Sequence, residues 1–222
     1  MFEWEEFLDP YIQAVGELKI KLRGIRKQFR KQGLHSPIEF VTGRVKSVES
    51  IVEKMERYEV DLADISEGIE DIAGLRVMVQ FVDDVYKVVE LLRQRQDMTV
   101  ILEKDYIANM KDSGYRSYHV IVTYPVETIK GRREVNVEIQ IRTLSMNFWA
   151  TIEHSLNYKY QGNFPDEIRH RLEVTARIAR ELDDEMSKIR DDIREAQLLF
   201  DPVVGTLSDG VGNSDDTDEF YR

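Results

Sequence analysis

Val135-Asn136-Val137-Glu138-Ile139-Gln140-Ile141-Arg142 alternates apolar and polar side chains without a break. A period of two makes a β-strand, with Val135, Val137, Ile139 and Ile141 facing a core and Asn136, Glu138, Gln140 and Arg142 sharing the other face. Just upstream, Lys130-Gly131-Arg132 reads as a turn, and Tyr118 to Tyr124 is a β-rich run that stops at Pro125. Together these segments predict a hairpin. Further out, Asp71 precedes a strand over Leu75–Phe81, and Thr99 to Leu102 is a short strand. Ser47 to Tyr58, Asp84 to Arg95 and Leu144 to Tyr160 carry helical spacing. Helices interleaved with a mixed sheet predict an α+β domain over residues 35–165.

On both flanks the period changes. Trp4, Leu8, Tyr11, Val15, Leu18, Leu22, Ile25 and Phe29 recur at 4-3 spacing, as do Ile168, Leu172, Thr175, Ala179, Leu182, Met186, Ile189, Ile193, Ala196 and Phe200. Residues 1–34 and 166–200 therefore read as two long heptad helices. Seams this regular need partners: each other, the central domain, or another copy of the chain. More apolar stripe is on offer than one small domain readily covers, so a symmetric homo-oligomer is expected, with packing inside the chain as the alternative. Residues 201–222 are rich in Gly, Ser and Asp without periodicity and read as a disordered acidic tail.

The net charge of −11 over 222 residues argues against a general polyanion binder. That figure hides a contrast, because residues 19–31 hold seven bases and no acid, while residues 201–222 hold six acids and one base. The basic run is either a local anion site or a solvated helix face. With no cysteine, disulfides and thiolate metal sites are excluded. No apolar run nears the roughly 20 residues of a membrane span, and no signal peptide is evident, so a cytoplasmic protein with no membrane partner is expected. The P-loop, nucleophile-elbow and H-E-x-x-H motifs are all absent.

Four constellations could carry chemistry. Lys46, Ser50, Lys54 and Arg57 fall in one helical stripe opposite Val48, Ile51, Val52 and Met55, with Arg44 just ahead. Such a cationic stripe at a helix N-terminus suits polyphosphate, although Glu49, Glu53 and Glu56 also permit a plain solvated face. In Glu70-Asp71-Ile72-Ala73-Gly74-Leu75-Arg76, an acid ahead of a strand suits Mg2+ near phosphates; an ordinary turn would look similar. Glu138, in mid-strand on the polar face, could be a second metal ligand or a base, or simply face solvent. Lys111 to His119 gathers a glycine turn, two tyrosines, a histidine and two cations, which suits base stacking or a packed hairpin.

Phe40-Val-Thr-Gly-Arg44-Val-Lys46, Glu70-Asp-Ile-Ala-Gly-Leu-Arg76, Ser113-Gly-Tyr-Arg-Ser-Tyr-His119, Val137-Glu-Ile-Gln-Ile-Arg-Thr143 and Phe148-Trp-Ala-Thr-Ile-Glu-His-Ser-Leu-Asn-Tyr-Lys159 together resemble the synthetase domain of the Rel/Spo-type (p)ppGpp synthetases. With its flanking helices, the chain is most similar to the stand-alone RelQ-type small alarmone synthetases. The resemblance implies a nucleotidyltransferase-like fold and transfer of the β,γ-pyrophosphate of ATP to the ribose 3′-hydroxyl of GDP or GTP. It further implies that Arg44, Lys46, Ser50, Lys54 and Arg57 hold ATP, with Arg76 stacked on adenine. Asp71 would bind Mg2+, and Glu138 would complete the metal site or take the 3′-hydroxyl proton. Tyr115 would stack on guanine, with Lys111, His119, Gln140 and Asn147 around the acceptor.

Long members of the family also hydrolyse their product through a His-Asp metal motif. None of the histidines at 35, 119, 154 and 170 precedes an Asp, so synthesis alone is expected. The resemblance also implies a homotetramer that binds (p)ppGpp allosterically through Arg23, Arg26, Phe40, Thr42 and Asn147, with single-stranded RNA as antagonist. Two rivals stay open: a related pyrophosphotransferase acting on tRNA, which the negative charge disfavours, and a non-enzymatic regulator that binds RNA or nucleotide.

Overall fold

The strand with the unbroken alternation lies at the centre of the sheet. In the computed structural model, which describes residues 2–159 and 165–200, a five-stranded sheet has the order β1-β2-β5-β4-β3. The elements are α1 (Trp4–Lys31), β1 (Phe40–Val45), α2 (Val48–Tyr58), α3 (Ile65–Gly68), β2 (Ala73–Val79), α4 (Val82–Arg93), β3 (Thr99–Asp105), β4 (Tyr118–Thr128), β5 (Gly131–Thr143), α5 (Leu144–Lys159) and α6 (Asp166–Phe200). β5 runs parallel to β2 and antiparallel to β4, and β1 and β3 are antiparallel edge strands. This is the expected α+β arrangement, a mixed sheet with long helices at both ends. The described residues divide into two compact units, the first ending at Ser187 and the second beginning at Lys188.

One sheet face is apolar. Val137, Ile139 and Ile141 of β5 and Leu75 and Val77 of β2 are buried with Val15, Leu18 and Leu22 of α1 and Val85, Val88 and Leu92 of α4. The α1 seam is thus consumed by the chain's own sheet, and this half of the apolar surface expected to drive association does not exist. Burying a leucine such as Leu18 is worth about 1.5–3 kcal/mol. Gly43 permits the close approach, since a Cβ there would lie 2.8 Å from Val15 Cγ1.

α6 behaves differently from α1. Its buried residues are Ala176 and Asp183, while Leu182 and Met186 of the seam stay 54% and 46% exposed. The line facing inward runs through Leu172, Ala176, Ala179 and Asp183, with Trp149 of α5 packed on its first part. Val52, expected on the core face of α2, is exposed, and Ile51 and Met55 alone anchor that helix.

β4 does not stop at Pro125, which pairs with Glu134 of β5. The β3 ladder ends at Thr99↔Thr123, so beyond Thr123 β4 has a neighbour on one side only and the missing N–H costs no pairing. β2 begins and ends two residues earlier than expected, and β3 runs on to Asp105. Ser47 caps α2, its hydroxyl accepting from Ser50 N. Among the described residues, no helix is long and apolar enough to cross a membrane. The acidic tail, residues 201–222, lies outside the described residues.

Candidate functional site

The other sheet face is polar, and strand register decides what meets there. Thr42 of β1 pairs with Arg76 of β2, Arg76 with Gln140 of β5, and Gln140 with His119 of β4. One step along, Arg44 pairs with Gly74 and Gly74 with Glu138. These rows, with Asp71 just ahead of β2, line a cavity of about 150 Å³ that includes Thr42, Arg44, Asp71, Arg76, Glu138 and Gln140. Residues from three strands therefore surround one space, although none is adjacent in sequence to the others.

At one end sits a carboxylate held between two ammonium groups. Lys46 Nζ lies 2.7 Å from Asp71 Oδ2, and Lys54 Nζ lies 2.8 Å from Asp71 Oδ1. Burial would raise the Asp71 pKa, but the hydrogen bonds and charges of Lys46 and Lys54 outweigh it and leave Asp71 below the usual carboxylate range. Arg76 is pushed down by its burial and by the like charges of Arg142 and Arg44. Lys46, Lys54, Arg44, Arg76 and Arg142 outnumber the two carboxylates Asp71 and Glu138, and such an excess of cations makes a site for an anion. Of the stripe, Lys46 and Lys54 reach this centre, and Ser50 and Arg57 do not. Ser50 closes a local hydrogen bond with Ser47, and Arg57 is exposed.

At the other end is a chain of hydrogen bonds. Tyr115 Oη lies 2.8 Å from His119 Nε2, and His119 Nδ1 lies 2.8 Å from Glu138 Oε1. With the proton on Nδ1, His119 donates to Glu138 and accepts from the tyrosine hydroxyl. Arg142 donates to Tyr115 Oη at 2.5 Å and to Gln140 Oε1 at 2.7 Å, while Gln140 donates to Glu138 Oε2 at 2.8 Å. Burial keeps the Tyr115 phenol above its usual value, so it remains a donor at neutral pH. Burial would also raise Glu138, but His119 and Gln140 hold the carboxyl below its ordinary value. A carboxylate so stabilised stays ionised at neutral pH and is a weak base. Lys111 Nζ sits 4.4 Å from the Tyr106 ring centre and 5.3 Å from that of Tyr115, over the faces where a base would stack.

The donor set suits Mg2+. Asp71 and Glu138 are hard oxygen donors lining one cavity, and each feels the other's charge. Among the described residues no group of three or more His, Cys, Asp or Glu gathers as a metal cage. Two carboxylates with open positions left for phosphate and water is the pattern Mg2+ favours.

The residues expected to bind an effector cluster only in part. Arg23 donates to Val41 O at 3.4 Å, and Arg26 meets Glu39 Oε1 at 3.4 Å, which brings both beside Phe40 and Thr42 on the edge strand β1. Arg26 therefore turns toward a carboxylate of its own chain instead of facing outward. Asn147 stands on α5, its Oδ1 buried with no hydrogen-bond partner.

Sequence reasoning missed Tyr106 and Asp183 and did not foresee how Arg142 and Arg116 are held. Tyr106 packs edge-on against Tyr115 and His119. Arg142 is buried beneath Tyr115 with the neutral partners Tyr115, Gln140 and Ser117. Arg116 pairs with Asp183 on α6. The strand alternation had put Arg142 on the correct face; nothing local marked Tyr106 or Asp183.

Comparison with known proteins agrees with this arrangement. Residues 43–163 match the family described as "Region found in RelA / SpoT proteins". The chain is 58% identical to GTP pyrophosphokinase YjbM of Bacillus subtilis over 89% of its own length and 93% of that protein's. A GTP pyrophosphokinase family protein from Streptococcus pneumoniae superposes with a TM-score of 0.84 at 71% identity, covering 91% of this chain and all of that one. Small alarmone synthetase 1 from B. subtilis bound to its product pppGpp gives a TM-score of 0.82 at 58% identity, covering 86% and 97%.

Proposed function

Because this chain belongs to the RelA/SpoT family, we propose that it is a GTP pyrophosphokinase of the small alarmone synthetase type. It transfers the β,γ-pyrophosphate of ATP to the 3′-hydroxyl of GTP or GDP, making pppGpp or ppGpp. The observation that carries this reading is the adjacency of the two halves: the Asp71–Lys46–Lys54 cluster and the Glu138–His119–Tyr115 chain open on the same sheet face, on neighbouring strands. A donor polyphosphate in the first half would present its β-phosphorus to an acceptor nucleotide in the second.

The acceptor oxygen attacks the β-phosphorus, and the bond between that phosphorus and the oxygen bridging to the α-phosphate breaks. AMP leaves with that oxygen, and the proton of the 3′-hydroxyl passes to solvent water. Catalysis of such a transfer is mostly positioning and charge stabilisation. Lys46, Lys54, Arg44 and Arg57 would hold the phosphates, with Ser50 at the helix start and Arg76 against adenine. Tyr115 would stack on guanine, flanked by Lys111, His119, Gln140 and Asn147. Asp71 and Glu138 would hold Mg2+, which neutralises charge on the phosphates. The depressed Glu138 carboxyl favours that role over removal of the proton.

Around this centre we place a cytoplasmic homotetramer, with (p)ppGpp at Arg23, Arg26, Phe40, Thr42 and Asn147 and single-stranded RNA as a competing ligand. Leu182 and Ile189 of α6 are each exposed and are among the apolar side chains that association could cover. Replacing both by Asp should leave a folded protein of lower mass in light scattering; a monomeric wild-type protein at micromolar concentration would end this part of the reading.

The reaction itself is tested with γ-labelled ATP, Mg2+ and, separately, GTP, GDP, GMP and tRNA. AMP release with label on a guanine nucleotide is expected. Label on tRNA would favour the rival transferase, and no transfer at all would favour a binding protein.

A further inference from the structure

Tyr115 belongs to the segment between β3 and β4, which has no sheet ladder of its own, yet its position is tightly defined. Its two chain neighbours are gripped by one helix. On the N-terminal side, Gly114 has φ +86°, and a Cβ there would fall 2.4 Å from Ala176 Cβ. Only glycine tolerates both the backbone and the contact. On the C-terminal side, Arg116 Nη1 meets Asp183 Oδ2 at 3.0 Å, and both residues are 6% exposed. Thr143 Oγ1, at the end of β5, donates to the same Oδ2 at 3.1 Å. Ala176 and Asp183 are seven residues apart, which on an α-helix returns to one face after two turns.

We propose that Asp183, together with Ala176, positions the guanine-nucleotide half of the site: α6 clamps residues 114 and 116 and so fixes the ring of Tyr115 between them. The proposal rests on the reading of Tyr115 as the surface on which guanine stacks. Asp183 touches no reacting atom. It acts through Arg116, whose buried guanidinium would otherwise lack a carboxylate, and through Thr143, which ties the clamp to β5, the strand bearing Glu138 and Gln140. A buried pair of this kind contributes little net stability but defines a geometry. The clamp does not reach Asp71, Lys46 or Lys54, so the ATP half stands outside it.

The test measures KM for GDP and for ATP, and the melting temperature, in Asp183→Asn, Tyr115→Ala and the double variant. Because Asp183→Asn leaves Arg116 without its charge partner, the apolar pair Arg116→Met with Asp183→Leu provides a second route that spares the fold. Either variant should raise KM for GDP about tenfold, within the range that loss of one base stack spans. KM for ATP should move less than about twofold. In the Tyr115→Ala background, Asp183→Asn should add less than about twofold, since two changes acting on one contact are not additive. A lowered melting temperature with both KM values unchanged, equal rises for both substrates, or a full additive effect on Tyr115→Ala would each overturn the positioning role. If Tyr115→Ala itself leaves KM for GDP unchanged, the stacking assignment fails, and the clamp's role in binding falls with it.

Discussion

Around Asp71, the charged groups sit on or directly beside regular elements: Lys46 follows β1, Asp71 precedes β2, and Lys54 lies in α2, where Ile51 and Met55 anchor the helix in the core. Around Tyr115, the ring itself comes from an irregular segment held by α6, with Lys111 of that segment and Arg142 of β5 each about 5 Å from the ring centre. The first half is a cluster of opposite charges that a metal-bound polyphosphate can enter by exchange of partners. The second is bonded within itself: the Tyr115 hydroxyl is bonded to His119 and Arg142, and Lys111 lies over the ring. A guanine base must therefore displace contacts made by the chain itself. Affinity in the first half should depend on charge, and affinity in the second on how well the loop is held.

Removing the charge at the centre of the first half should have the largest effect. Asp71→Asn should lower kcat by about 10²–10³-fold, the scale on which a lost charge stabiliser at a reacting centre is felt. Circular dichroism should still report a folded protein. Full turnover by Asp71→Asn would detach the metal assignment from this residue.

A smaller effect should separate the halves from each other. Tyr115→Ala should raise KM for the guanine nucleotide by about 10–100-fold, because a base stack is worth about 1–3 kcal/mol, and leave KM for ATP nearly unchanged. Lys54→Ala should do the opposite. Steady-state kinetics with each substrate varied in turn decides the matter, and equal losses in both variants would merge the two halves into one.

The smallest effect uses a control outside both halves. Asp97 is also a carboxylate between two cations, with Lys21 and Arg95 at 2.7 and 2.6 Å, and its pKa falls from 3.8 to about 2 because those hydrogen bonds and charges outweigh burial. A depressed carboxyl pKa contributes stability that is present above about pH 4 and lost as pH falls toward about 2. The pairs are partly exposed, so about 0.2–1 kcal/mol is expected. Melting temperatures of wild type and Asp97→Asn should differ at pH 6 and converge near pH 2, with synthesis at neutral pH unaltered. Loss of synthesis in Asp97→Asn would show that a clamped carboxylate matters here for stability and not for its place in the site.

The strand- and helix-borne parts of both halves were legible because their information is local. Strand alternation put Glu138, Gln140 and Arg142 on one face, and helical spacing separated Lys54 from Ile51 and Met55. The same spacing grouped Ser50 and Arg57 with Lys54, since a helical stripe says nothing about how far along the helix the cavity extends. The irregular segment of the acceptor half was legible only as a cluster of residue types between Lys111 and His119. The positions of Lys111 and Arg142 beside the Tyr115 ring, and the contribution of Tyr106, depend on contacts that no spacing encodes. Pro125 was read as a strand end because proline cannot serve a ladder on both sides; it pairs where β3 has already ended.

The two heptad seams mark the boundary between these kinds of information. Spacing alone determined that residues 4–31 and 166–200 are helices, because i, i+3 and i+4 neighbours meet on a helix whatever surrounds it. Whether a seam is core or surface was decided by the tertiary structure: α1 lies on the apolar face of the sheet and buries Leu18 and Leu22, whereas α6 turns Leu182 and Met186 outward and buries Asp183. An apolar stripe specifies that something must cover it. What covers it depends on the shape of the sheet, and a buried aspartate is acceptable only where folding supplies Arg116 and Thr143 as its partners.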